Sequence, residues 1–247
     1  MCCNLPLILA VCTFLKEKAM KSGEAERLWK LQTSANDLVL SGKRDADPLI
    51  KFLQKFVFGS LLPDINWTET YKALGLQDEW ATVKDLVLPE RSDLWVMPMA
   101  KGITSNKIVT GHKKLGVDYY LYANDLDVAV PTHDRDSNRD GSYVIGFRRT
   151  VEADEESANK SANHLTEAGH KGITLPERLL LGAGFYVATG QHMDVKNITL
   201  CAGSRDRGGS VPGVDWNPDN RKVYVRWYSA DDSSSGLRSR SAVSLPA

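Results

Sequence analysis

The chain has 247 residues, 42% hydrophobic and 25% charged, which excludes a mostly disordered, collagen-like or polytopic membrane protein. Lys and Arg total 31 and so do Asp and Glu, so the net charge is zero. That balance excludes a dedicated non-specific nucleic-acid binder, which needs a basic surplus, and leaves protein or other macromolecular partners open.

Residues 5–15 read LPLILAVCTFL, an apolar run too short to cross a bilayer, so no membrane span is expected. No Lys or Arg precedes it, which argues against a signal peptide and makes Met20 an alternative start to Met1. Of the cysteines, Cys2, Cys3 and Cys12 cluster at the start and Cys201 stands alone. No CxxC pair occurs, so neither a zinc finger nor a disulfide framework is predicted. A reducing compartment fits, which favours the cytoplasm over a secreted or surface location.

The first 91 residues read as a helical region. Leu28, Leu31, Ala35, Leu38 and Val39 recur at helical spacing before Gly42, and Leu49, Leu53, Phe56 and Val57 share a face after Pro48. A third short helix is expected to start at a capping Thr68. None of these residues carries chemistry.

From residue 92 the pattern changes to short mixed strands. Residues 93–99 suit a strand, a helical turn is expected near Ser105, and the stretch from Val117 suits a second strand. In the loop that follows, Asp136, Asn138, Asp140 and Gly141 match the first half of a calcium loop. Phe147 occupies the twelfth position, where the bidentate Glu belongs. The alternative is a polar turn leading to the strand marked by Tyr143, Ile145 and Phe147. Thr174 and Glu177 form a capping box for a helix with Leu175, Leu179, Leu180 and Ala183 on its apolar face and Gly190 at its end. His164, His170 and His192 are candidate general bases, but none has a nucleophile or carboxylate at a recognisable spacing.

The last quarter carries the most information. Residues 198–202 suit a short strand, and residues 214–216 another. In residues 222–228, Val223, Val225 and Trp227 alternate with Lys222, Tyr224, Arg226 and Tyr228. Residues 237–244 suit a final strand. Six of the seven basic residues between Cys201 and Arg240 are arginines, whose planar forks suit directional contacts. The outward palette of Tyr, Arg, Ser, Asp, Asn and Gly matches that of a binding surface, with rigid aromatics among small adaptable polar groups. The plain alternative is a solvated hairpin.

The segments TLPERLLLGAGFYVATG, TLCAGSR, VPGVDW, VYVRWYSADD and LRSRSAV together resemble the variable proteins of diversity-generating retroelements, most closely those of bacteria with very small genomes. The resemblance runs from about Trp95 to the end. It implies a C-type-lectin-like domain of short mixed strands and two helices over residues 92–247, which with the helical N-terminal region read over residues 1–91 makes an α+β chain. It also implies kinship with the formylglycine-generating sulfatase-modifying domain, and a variable region at about residues 203–243 rewritten at template adenines. Adenine mutagenesis of Asn codons yields this palette and never Trp. By analogy the ligand-binding positions are Asp206, Arg207, Ser210, Gly213, Asp215, Asn217, Tyr224, Arg226, Tyr228, Ser233, Ser234 and Gly236. The scaffold positions are Cys201, Gly203, Trp216, Trp227, Asp231, Asp232, Arg238 and Arg240. The implied function is non-enzymatic binding of a protein or other macromolecular ligand without a cofactor, calcium being the one candidate ion. Two alternatives stand beside it. One is a sulfatase-modifying-type oxidoreductase, although those enzymes use a cysteine pair and Cys201 is alone. The other is a structural or phage-tail-like interaction module.

Overall fold

Asn66 opens the first described helix of the computed structural model, which describes residues 62–246. The chain divides into two units, Met1–Leu62 and Pro63–Ala247. The helices expected between residues 24 and 57, the apolar run and the three early cysteines lie outside the described residues. The boundary expected at residue 91 falls inside the second unit.

Helix α1 spans Trp67–Leu74. Its cap is Asn66, not Thr68: the Asn66 side chain accepts the Glu69 N–H at 3.2 Å while its backbone is extended. The helix is held to the strand after it by two buried donors. The Trp67 indole donates to the Val96 carbonyl at 2.6 Å, and the Tyr71 hydroxyl to that of Pro98 at 2.7 Å. Those bonds explain why residues 63–91 belong to the second unit rather than to a separate lead-in. Helix α2, Gln77–Trp80, follows.

Strand β1, Leu94–Met99, pairs antiparallel with β4, Tyr143–Arg148, which pairs with β10, Ala242–Leu245. β4 is the middle strand and its residues 144–147 are buried on both faces. Between β1 and β4 lie α3 (Ser105–Lys114), β2 (Asp118–Leu121), α4 (Leu126–Ala129), β3 (Thr132–His133) and α5 (Ser137–Asp140). Thr104 caps α3, which runs for three turns where one was expected.

After a 3-10 turn at Glu155–Ser157 come α6, Ala162–Glu167, and α7, Leu175–Thr189. The capping box at Thr174 and Glu177 forms as the sequence predicts, and Gly190 ends α7 in the left-handed conformation. Buried residues lie around the whole circumference of α7, including Leu175, Leu179, Leu180, Leu181 and Phe185, so it is the central helix. Burying each large apolar side chain contributes about 2 kcal/mol.

The five-stranded sheet has the order β2-β8-β7-β5-β9. It comprises β5 (Ile198–Leu200), β7 (Val211–Asn217), β8 (Lys222–Tyr228) and β9 (Leu237–Arg238), with β2 at one edge. β6, Ser204–Arg205, pairs instead with β3. The single strand expected over residues 237–244 is two. Ser239 exchanges backbone bonds with Ser157 Oγ, donating at 2.8 Å and accepting at 3.0 Å, so the chain leaves the five-stranded sheet there and re-enters the other as β10. The fold is α+β. Within residues 92–246, α3 and α7 are the two long helices, and the other three described helices are six residues or shorter. Among the described residues no helix is long and apolar enough to cross a membrane.

Candidate functional site

Side chains in a strand alternate between faces, and directly paired residues share a face. β7 and β8 are paired so that Gly213 meets Arg226, Asp215 meets Tyr224, and Asn217 meets Lys222. Six of the twelve expected ligand-contacting residues (Gly213, Asp215, Asn217, Tyr224, Arg226 and Tyr228) therefore lie on one side of the sheet. The parallel pairing of Tyr120 with Tyr224 extends that side onto β2.

The side chains on this face are ordered by one another. Arg226 sits 4.3 Å over the Tyr224 ring and 3.3 Å from a carboxylate oxygen of Asp215, without hydrogen-bond alignment to it. Tyr120 packs on Tyr224 with ring centres 5.0 Å apart, and the Asn220 amide donates to the Tyr224 hydroxyl at 2.6 Å. Burial pushes the Asp215 carboxyl up from the ordinary range against the pull of Arg226. The face thus offers aromatic area at low entropic cost together with both signs of charge.

The remaining expected contact residues lie in loops. Arg207, Ser233 and Ser234 are exposed, and Ser210 and Gly236 half-buried. Asp206 has a different role, because its Oδ1 accepts the N–H groups of Gly208 and Ser210 at 2.8 and 2.7 Å. It closes its own loop, as Asp does in an Asx turn.

Gly213 and Tyr228 are also coupled. An ideal Cβ on Gly213 falls 2.7 Å from Tyr228 Cδ2, closer still to Cε2, and 3.0 Å from Ile198 Cγ2. Tyr228 in turn packs on a small core of Leu165, Leu200, Val211 and Leu237. Gly213→Ala is expected to cost about 1–3 kcal/mol through overpacking. In a double-mutant cycle with Tyr228→Ala, monitored by urea unfolding, the two losses should be less than additive by about 1 kcal/mol. Additive losses would mean that the ring gives way freely.

The expected scaffold residues divide into two groups. Cys201 and Arg240 are fully buried, and a Cβ on Gly203 would fall 2.7 Å from the Gly172 carbonyl oxygen. Trp216 stacks on His192 with centres 3.5 Å apart and planes 11° apart, and His192 stacks in turn on Tyr186. Trp227 is half-buried and meets Tyr122 edge-on. Asp231 and Asp232 are exposed, yet each holds a loop. Asp231 accepts from the Asn163 amide at 2.8 Å and Asp232 from the Ser229 N–H at 2.9 Å. Arg238 is half-buried, with a long 3.5 Å bond to the Ser235 carbonyl.

The calcium half-motif is used for turn formation. Asp136 caps α5 by accepting the Asn138 N–H at 2.8 Å, Asn138 Oδ1 accepts from Gly102, and Asp140 pairs with Arg139 at 2.7 Å. Among the described residues no group of three or more His, Cys, Asp or Glu could hold a metal ion. The Cys201 thiol is buried, and burial pushes its pKa up, which suppresses the thiolate. Of the candidate general bases, His164 is exposed on α6, His170 is half-buried, and His192 is engaged in the Trp216 stack.

Sequence reasoning missed three contributors. Tyr120 on β2 and Tyr122 just after it, 50% and 64% exposed, stand beside β8, and the run VDYYLY was their signal. Asp194, between Arg178 and Arg240, had none. Compared with protein-family models, curated proteins and solved structures, the chain finds no match.

Proposed function

We propose that this chain is a non-enzymatic ligand-binding protein with a C-type-lectin-like domain. Its β7–β8 face and adjoining loops meet a protein or other macromolecular ligand, and residues 203–243 are diversified by a retroelement through adenine mutagenesis. The observation that supports this most is the β7–β8 register. It gathers Asp215, Asn217, Tyr224 and Arg226 on one side, with the exposed Tyr120 beside them. The residues given a scaffold role include the buried Cys201 and Arg240. The oxidoreductase alternative needs a reachable cysteine pair, and Cys201 is the sole cysteine among the described residues, sealed from solvent.

The decisive test is genomic. A near-copy of the codons for residues 203–243, differing only at adenines and lying beside a reverse-transcriptase gene, is the expected finding. Its absence would sink diversification. Binding is tested separately. Once a partner is in hand, Tyr224→Ala with Arg226→Ala should weaken it by about 2 kcal/mol per residue, read by surface plasmon resonance. Unchanged affinity would place the contact elsewhere.

A further inference from the structure

A cavity of about 140 Å³ lies between α3, β3, α5 and the start of α7, and it shares no lining residue with the β7–β8 face. Its floor is apolar: Met99, Ile103 and Val130 line it and are themselves almost wholly buried. Ser105 and Ser137 also line it. They are 1% and 4% exposed, and neither hydroxyl is engaged by another protein group among the described residues. The two residues are buried, and the cavity they line gives their free hydroxyls a place to meet a ligand.

His133 supplies a third polar group. Ser204 is buried, and its Oγ accepts the Leu175 N–H at 2.8 Å. Ser204 Oγ also shares a hydrogen bond with His133 Nδ1 at 2.8 Å. The other imidazole nitrogen, Nε2, has no protein partner among the described residues and can donate or accept according to the tautomer. Burial holds His133 below its ordinary pKa, so it stays neutral.

The charge around the cavity selects the ligand class. Asp127 and Asp136 line it, while the Arg135 guanidinium beside them is already committed to both oxygens of Glu177 at 2.8 Å. An anion would meet two carboxylates with no spare cation. A compound carrying many hydroxyls can hydrogen-bond to His133 in either tautomer, exchange hydrogen bonds with the two serines and donate to the carboxylates, with its carbon skeleton on the apolar floor. One water fills about 10–15 Å³ of such space, so roughly ten non-hydrogen atoms fit. We propose that this cavity is a small-molecule site for an uncharged polyhydroxylated compound of monosaccharide size.

The test uses the full chain and isothermal titration with D-ribose, D-glucose, myo-inositol and glycerol, beside inorganic phosphate and ethanolamine. Saturable binding of at least one polyol, and of neither ion, is expected. Ser105→Ala with Ser137→Ala should weaken it roughly tenfold or more while circular dichroism is unchanged, since both serines open helices where Ala is tolerated. If the pair lowers helix content, each single variant carries the same test. Tighter binding of phosphate or ethanolamine, polyol binding insensitive to the serines, or no polyol binding at all would each overturn the proposal.

Discussion

Asp194→Ala should lower stability by about 3–5 kcal/mol, the loss expected when a buried ion pair is stripped of one partner. Asp194 is fully buried and receives Arg178 at 2.7 Å and Arg240 at 2.6 Å, and both guanidiniums are buried as well. Burial pushes the Asp194 carboxyl up, but Arg240 and Arg178 outweigh it and hold the pKa below the ordinary range. Without the carboxylate, two cations face one another away from water. Arg240 keeps its bonds to the Thr150 and Val151 carbonyls at 2.9 and 2.8 Å, which satisfy donors but do not neutralise charge. Arg240→Met should cost less than Asp194→Ala, because it leaves the Arg178–Asp194 pair balanced. Against a typical domain stability of about 5–15 kcal/mol, the first change approaches unfolding. Urea unfolding gives both values, and Asp194→Ala within about 1 kcal/mol of the parent would refute the argument.

The same cluster braces the proposed face from beneath. The Asp194 carbonyl accepts the Trp216 N–H of β7 at 3.0 Å, and its side chain accepts from Thr199 of β5. The Arg240 carbonyl accepts the Ile173 N–H at the entry to α7. Asp194 thus ties together the central helix, β5 and the crossover between the sheets through its carboxylate, and β7 through its backbone carbonyl.

How much of this was legible follows from the range of each interaction. The capping box of α7 needs residues three apart, and β8 needs only alternation, so both appear in the sequence as they do in the fold. The parity of Tyr224 and Arg226 was legible for the same reason. Their juxtaposition with Asp215 and Tyr120 was not, because it depends on pairing β8 with β7 and β2. The break between β9 and β10 is set by Ser157, 82 residues away, and no local rule carries that. A lone Asp194 in a polar turn gives no sign that two arginines, 16 residues before and 46 after, converge on it. The loop role of Asp206 was not legible either, because its Oδ1 accepts from Gly208 and Ser210 in a turn that composition alone does not mark.

Acidification should destabilise the protein well before its paired carboxylates titrate, through His112. This residue is 2% exposed, and its pKa is lowered from 6.5 to about 3 by burial first, then by His192 and Arg178. Burial also pushes the Tyr119 phenol up, so its hydroxyl stays protonated and shares a hydrogen bond with His112 Nδ1 at 2.7 Å. The other ring nitrogen, Nε2, has no protein partner, and His112 borders a cavity of about 10 Å³, room for one water. Between pH 6.5 and about 3 the unfolded chain binds a proton that the folded chain refuses, so stability is full above that window and falls as pH drops through it. From neutrality to about pH 4.5 the expected loss from this residue is roughly 2–3 kcal/mol. His192, lowered to about 4 by burial and Arg178, adds a loss of the same sign. In His112→Leu the slope of stability against pH should be shallower by about that amount, whatever the variant's absolute stability at neutrality. An unchanged slope in urea unfolding would exonerate His112. Because His192 is stacked on Trp216, the protection of β7 amides relative to their intrinsic exchange rate should fall over the same pH window, carrying the loss directly into the strand that forms the face.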